Sequence, residues 1–171
     1  PEAHNLMTAG RGVAHAEKTP ERTSGVLQGV QLWVAQPDAT RFGDAAFEHH
    51  PSLPQTEVGA ASATVLVGTF AGVRSPARTD TPLVGADIAV TGGATLPLDP
   101  TFEYAVMVVE GSLDIDGNAI RRGCSAYLGR GREEVALSAA AARRLLLQGG
   151  PPFLEAILMW WNFVGRTTAE I

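Results

Sequence analysis

Hydrophobic residues in this chain form short runs that turn-forming residues separate. The runs are rich in β-branched and apolar residues, and Asp116-Gly117 between two of them is a strong β-hairpin signal. The predicted strands cover residues 64–70, 83–90, 94–98, 102–115, 120–123, 125–128 and 155–163. Many short strands with turns between them indicate an all-β fold, either a barrel or a sandwich.

The first third of the chain shows a different pattern. Around residues 30–34, apolar positions alternate with Gln31 and Trp33, which predicts a strand with two unlike faces. Prolines and turn residues then interrupt residues 37–62, so we predict a connector without regular structure there.

Composition narrows the function classes. The 171 residues carry a net charge of −5 and form no basic stripe, which argues against direct binding of DNA or RNA. The single cysteine, Cys124, excludes an internal disulfide framework and fits a reducing cytoplasm, and we expect it to be a small buried residue. No apolar run approaches the length of a membrane span, so we expect no membrane partner.

Two residues with metal-ligand chemistry stand close together near the start of the chain. His15 and Glu17 are two positions apart, and on a β-strand such residues face the same side. Gly10 and Gly12 share that parity and, having no Cβ, leave room beside the two polar groups. Imidazole with carboxylate suits iron, manganese or zinc, so the pair is half of a candidate metal site. From spacing alone we favour a simpler interpretation, a surface strand with two polar groups.

Three motifs surround or follow this pair. Residues 7–12 (MTAGRG) precede it, residues 29–34 (GVQLWV) follow it, and residues 160–166 (WWNFVGR) lie near the end of the chain. In this order, and over nearly the whole chain, the motifs resemble the pirin family of the cupin superfamily. The resemblance implies two jelly-roll-type cupin β-barrels in tandem, with one iron in the first barrel held by three His and one Glu. His15 and Glu17 match the last two ligands, whereas the His-Pro-His segment that supplies the others has no counterpart in this sequence.

The resemblance also implies a role for each segment. We expect closing strands of a partial N-terminal barrel at residues 1–36, an inter-barrel connector at 37–62, a complete C-terminal barrel at 63–166 and the start of a truncated C-terminal helix at 167–171. Residues 167–170 (TTAE) have the form of a helix capping box, which supports the last assignment. Two protein ligands would hold a metal weakly. We therefore expect either further ligands upstream in a longer protein or loss of the site in this one.

One segment conflicts with the all-β interpretation. Residues 133–148 are rich in Ala and Leu, acidic at the start and basic at the end, and taken alone they predict a helix. The family pattern instead places two strands here, at 135–137 and 144–147, joined by a turn near Ala140. We favour the strands, because tertiary pairing often overrides local propensity.

The resemblance implies a mononuclear metal dioxygenase that cleaves quercetin-like flavonols with O₂. It would use one divalent metal, with iron preferred over Mn, Zn, Ni, Cu or Co, and Glu17 would be a ligand or the base that accepts the flavonol proton. Gln31 and Trp33 would shape the substrate pocket, or Trp33 would only plug the barrel. The alternative is a redox-responsive regulatory protein that binds other proteins, for example a transcriptional cofactor. A third hypothesis is an inert scaffold.

The remaining histidines and tryptophans receive simpler interpretations. Adjacent residues on an extended chain face opposite ways, so His49 and His50 cannot both bind one metal, and we expect two partly exposed histidines before a turn. His4 is either a pocket residue or an exposed terminal side chain. No His follows residue 50, so we expect a metal-free second barrel with a supporting or partner-contacting role. Trp160 and Trp161 are expected to pack in a core and to cover part of the surface, and not to bind a ligand.

Overall fold

A computed structural model describes residues 4–16, 18 and 29–171. Their regular structure consists of β-strands without any helix, so this part of the chain contains no helix that could cross a membrane. In chain order, the strands are β1 His4–Thr8, β2 Ala46–His50, β3 Gln55–Val58, β4 Ala61–Phe70, β5 Val73–Arg74, β6 Val84–Val90, β7 Gly93–Pro97, β8 Glu103–Glu110, β9 Ser112–Ile115, β10 Asn118–Arg121, β11 Ser125–Leu128, β12 Glu134–Ser138, β13 Arg143–Gly150, β14 Leu158–Trp160 and β15 Phe163–Gly165. The all-β prediction is confirmed.

The chain divides into two compact units. The first comprises Glu48–Leu154 with the chain up to Leu6, and the second comprises Met7–Phe47 and Glu155–Ile171. The first unit contains the large sheets, and the second contains the short β14–β15 hairpin.

Two antiparallel sheets build the first unit. The larger has the strand order β11-β8-β13-β6-β4-β3 with β5 beside β4, and the smaller has the order β10-β9-β12-β7. Strands that are distant in sequence lie side by side, as β13 does between β6 and β8. Consecutive strands such as β8 and β9 belong to different sheets. Antiparallel strands that pair out of order and alternate between two sheets form a jelly roll.

The core of the first unit consists of the inward-facing residues of both sheets. Every second residue is buried along Ala61–Val67 of β4 and along Val84–Val90 of β6, as expected when one face of a strand packs against the core. Ile88 and Leu145 from the larger sheet and Leu96 and Val135 from the smaller one belong to a single buried cluster. Each such side chain contributes about 1.5–3 kcal/mol by burial, so this cluster holds the sheets together.

Local sequence signals correctly located several turns and strands. Asp116 and Gly117 have φ values of 49° and 80°, the left-handed geometry of the two-residue turn that joins β9 to β10. The segment with helical propensity forms β12 and β13, as the family pattern implied. Val135 and Leu147, for example, are fully buried there, and a helix would remove the hydrogen bonds that both strands make with their neighbours.

The prediction of one strand over residues 155–163 is wrong. The chain instead forms a hairpin in which β14 pairs with β15, and Trp161 occupies the turn with a φ of 55°. Trp160 is 61% exposed and Trp161 is 83% exposed, so neither fills a core as expected. An apolar run alone does not reveal where a chain reverses when the turn contains no glycine.

Three further predictions are wrong in the described residues. Residues 30–34 lie outside any strand, because alternation specifies two faces but supplies no partner for the backbone hydrogen bonds. Residues 37–62, expected to lack regular structure, contain β2, β3 and the start of β4. Cys124 is exposed, because it lies in the turn between β10 and β11 rather than on the inward face of a strand.

Candidate functional site

The segment that carries His15 leaves β1 through a turn. Gly10 and Gly12 have φ values of 54° and 123°, so the extended backbone ends before residues 12–16, and His15 is exposed. The prediction that His15 projects from a strand is therefore wrong, and the same-face argument for the pair loses its basis. Glu17 lies outside the described residues, so its position relative to His15 stays a prediction.

A close backbone contact explains Gly10. A Cβ at this position would lie 2.3 Å from the carbonyl oxygen of Gly43. Beside it, the backbone N–H of Arg11 donates to the same oxygen at 3.2 Å, and the Arg11 guanidinium bonds Asp44 at 3.2 Å. The neighbouring backbone thus requires glycine at position 10.

The predicted pocket residues lie on the surface. Gln31 is exposed and Trp33 is 54% exposed. In the described part of the chain, these two side chains and His15 make no hydrogen bond or ring contact with one another. Nor do residues 4–16, 18 and 29–171 contain a group of three His, Cys, Asp or Glu side chains that could hold a metal ion.

The structure brings together His4 and His50, a pair that the sequence analysis missed. Their rings stack with centroids 6.2 Å apart and planes inclined by 28°. His50 Nε2 lies 3.0 Å from Glu48 Oε2, and that oxygen also accepts the backbone N–H of Arg78 at 3.3 Å. The spacing of Glu48 and His50 on one strand was the available signal, because residues two apart share a face.

The surroundings of His4 disfavour its charged form. Burial lowers the pKa of His4, the neighbouring His50 lowers it further, and Glu48 opposes both effects. His4 Nε2 is buried and has no hydrogen-bond partner in the described part of the chain. His49 lies on the opposite face of β2, where its Nδ1 is 2.7 Å from Asn5 Oδ1, so the prediction that His49 and His50 face opposite ways is confirmed.

An ion-pair network organises the second unit. Arg41 bonds both carboxylate oxygens of Glu170, at 2.8 and 3.0 Å, and Arg166 bonds Glu155 at 2.8 Å. Both oxygens of Glu155 also accept the backbone N–H of Asp38 at 3.0 Å. The hydrogen bonds from Arg41, followed by the one from the backbone of Arg166, lower the pKa of Glu170 to about 2. These charges satisfy one another, so the network links the segments of the second unit.

The chain end forms a turn at the predicted capping box. The backbone N–H of Glu170 donates to the carbonyl of Thr167 at 3.1 Å. The Glu170 carboxylate accepts the backbone N–H of Arg166 at 2.8 Å, one residue before the N–H that a capping box would use.

An open groove of about 830 Å³ in the first unit is lined by the segments 68–72, 79–84 and 97–104. Both carboxylates that line this groove bond other side chains of the protein. Asp80 pairs with Arg78 at 2.8 Å, and Asp99 accepts the hydroxyl of Thr101 at 2.6 Å. The groove therefore presents no free acid for catalysis or metal binding within the described residues.

Comparison with known proteins identifies relatives along the whole chain. Residues 85–171 match the model of the pirin C-terminal cupin domain. The chain is 42% identical over 170 residues to a Pseudomonas aeruginosa protein named "Putative quercetin 2,3-dioxygenase", covering 98% of this chain and 53% of that protein. It is 30% identical over 177 residues to a "Pirin-like protein" of Caulobacter vibrioides, covering 100% of this chain and 61% of that protein. The chain thus spans little more than half the length of these relatives.

Solved structures show the same fold. The crystal structure of a quercetin 2,3-dioxygenase from Acinetobacter baumannii superposes with a TM-score of 0.76 at 40% identity, covering 80% of this chain and 46% of that one. A Geobacillus kaustophilus protein superposes with a TM-score of 0.74 at 26% identity, covering 88% of this chain and 64% of that one. The predicted jelly-roll cupin fold is therefore confirmed. With a family model that covers half of its length and this fold, the chain belongs to the pirin family of cupin proteins.

Proposed function

We propose that this chain is part of a quercetin-type dioxygenase that cleaves a flavonol with O₂ and uses one divalent metal. The observation that carries the proposal is the similarity over nearly the whole chain, at 42% identity, to a protein named for that activity. The exposed His15, at the position that the family resemblance assigns to a metal ligand, supports it.

The donor chemistry of His15 and Glu17 suits the metal, but the described residues do not complete a site. His15 is accessible to an ion, and the proposal adds Glu17 as the second ligand. Imidazole and carboxylate accept iron, which we propose first, and also Mn, Zn, Ni, Cu or Co. Two ligands leave the coordination incomplete, so we propose that the remaining ligands come from a longer polypeptide, in keeping with the greater length of the relatives.

The residues of this chain would act mainly by positioning and proton transfer. A bound divalent metal would supply Lewis acidity and a place for O₂ near the flavonol. Glu17 would accept the proton of the flavonol hydroxyl, a role that suits a carboxylate within hydrogen-bond reach of its substrate. Gln31 and Trp33 would line the aromatic pocket, one by hydrogen bonding and the other by stacking.

The exposed apolar surface of the second unit supports completion by further chain. On the β14–β15 hairpin, Trp160 pairs with Phe163 and Met159 pairs with Val164, and these side chains are between 41% and 61% exposed. A two-stranded sheet with apolar residues exposed on both faces is marginal by itself in water. We propose that residues 1–36 close an N-terminal barrel whose other strands lie outside this chain, and that residues 63–166 form the supporting C-terminal barrel.

The test uses the full-length protein that contains this chain. Loaded with Fe(II), the protein is expected to consume O₂ in the presence of quercetin, and His15→Ala is expected to lose both bound iron and turnover. His49→Ala is the matched control, since His49 is an exposed histidine on the outer face of β2. Iron content by mass spectrometry and O₂ uptake with an electrode are measured together. Unchanged turnover in His15→Ala would remove the proposal.

The same apolar surface favours a second function, binding of another protein as a redox-responsive regulator. The assay above separates the two functions. If iron changes the affinity of the full-length protein for a partner while quercetin stays intact, the regulatory function is the correct one.

A further inference from the structure

Strands β1 and β2 pair in a two-stranded sheet and hold two imidazole rings on one partly buried face. Along β1 the partly buried His4 alternates with the exposed Asn5, and along β2 Glu48 and His50 are partly buried while His49 is exposed. The rings of His4 and His50 stack with their centroids 6.2 Å apart. The two rings therefore meet wherever β1 lies against β2.

Few charges surround this pair. Glu48 faces it from β2, with Oε2 at 3.0 Å from His50 Nε2. The same oxygen accepts the backbone N–H of Arg78, whose guanidinium pairs with Asp80 at 2.8 Å. One carboxylate that already accepts two hydrogen bonds can balance one protonated ring but not two. His4 Nε2, buried without an acceptor in the described residues, would carry an unsatisfied N–H if it were protonated.

We propose that the stacked His4–His50 pair is a pH-sensitive clasp, which holds β1 against β2 when the rings are neutral and releases it when both are protonated. Neutral rings pack against each other, whereas two imidazolium ions at this separation repel. The clasp does not depend on the proposed dioxygenase activity. It nevertheless bears on that activity, because the segment with His15 follows β1 directly.

The direction of the pH effect follows from burial. Burial and His50 lower the pKa of His4 when the strands are paired, so the paired state binds fewer protons than the open state. Pairing is then strongest above the ordinary histidine pKa of about 6.5 and weakens as the pH falls below it.

Amide hydrogen exchange of the peptide that contains β1 tests the clasp. Rates are measured in the 171-residue chain from about pH 7.5 to about pH 5.5, the range in which histidine titrates, and are corrected for intrinsic exchange. The opening equilibrium is expected to rise on acidification, by up to about tenfold for each pH unit by which pairing lowers the pKa of His4. His4→Phe keeps an aromatic ring without a titrating group and is expected to abolish this rise, whereas His49→Gln is expected to preserve it.

An opening equilibrium that does not change with pH in the wild type would overturn the clasp. So would a loss of pH dependence in His49→Gln as large as that in His4→Phe. NMR titration of the wild-type histidines requires no variant and provides a second criterion. His4 is expected to titrate below the ordinary histidine pKa of about 6.5, and titration of His4 at or above that value would refute the inference.

Discussion

Replacing Gly68 by alanine tests a close backbone contact in the first unit. Gly68 lies in β4, just after the register with β6 shifts between Val65 and Val67, and its φ is 72°. A Cβ here would lie 1.7 Å from the carbonyl oxygen of Leu83. Left-handed geometry costs an alanine about 1–2 kcal/mol, and forcing a packed neighbour aside costs about 1–3 kcal/mol. We therefore expect Gly68→Ala to lose about 2–5 kcal/mol of unfolding free energy, a large part of the usual total of about 5–15 kcal/mol.

Gly72→Ala provides the matched control. Gly72 also has a positive φ, 79°, but a Cβ there would meet no atom within 4 Å. Its loss should be limited to the conformational strain of about 1–2 kcal/mol. Urea unfolding followed by far-UV circular dichroism measures both variants, and equal m-values would show that the same surface unfolds. If Gly68→Ala loses no more free energy than Gly72→Ala, the contact with the carbonyl of Leu83 does not limit this position.

Two further predictions follow from burial and charge. Leu147 is fully buried, and Leu147→Ala is expected to lose about 2–5 kcal/mol of unfolding free energy. Leu154 is 95% exposed, and Leu154→Ala should change this free energy by less than about 0.5 kcal/mol. Urea unfolding measures both variants. The pKa of Glu170 is lowered from 4.5 to about 2 by its bonds to Arg41 and Arg166. These bonds therefore stabilise the second unit at a pH above 4.5, and this stabilisation is lost as the pH falls from 4.5 to about 2. NMR titration of the Glu170 carboxyl should show this low pKa. Glu170→Gln should abolish the fall in thermal stability over this pH range. A variant with the same pH profile of thermal stability as the wild type would contradict the prediction.

The strands of the first unit were predictable because they combine an apolar face with clear turn signals. Asp116-Gly117 located one hairpin, since its left-handed backbone suits these two residues. The hairpin around Trp161 was missed because tryptophan rarely adopts a positive φ, so nothing in the run of apolar residues marked a reversal. The helical appearance of residues 133–148 was overridden by strand pairing on both sides of the turn.

The candidate metal site stays a prediction, and the strand geometry expected for it was wrong. His15 and Glu17 were selected by residue type and family resemblance, while the argument from strand parity failed because Gly10 and Gly12 end the extended backbone. The contact between His4 and His50 could not be foreseen, because it depends on which strand lies beside β1.

By itself, the sequence determined the all-β class, most of the strands of the first unit and the residues with metal-ligand chemistry. These properties depend on side-chain type and on periodicity over a few residues, and both can be read along the chain. Tertiary structure decided the strand order, the turn at Trp161 and the pairing of His4 with His50. Those features depend on hydrogen bonds and packing between segments that are distant in sequence, and local patterns do not specify such partners.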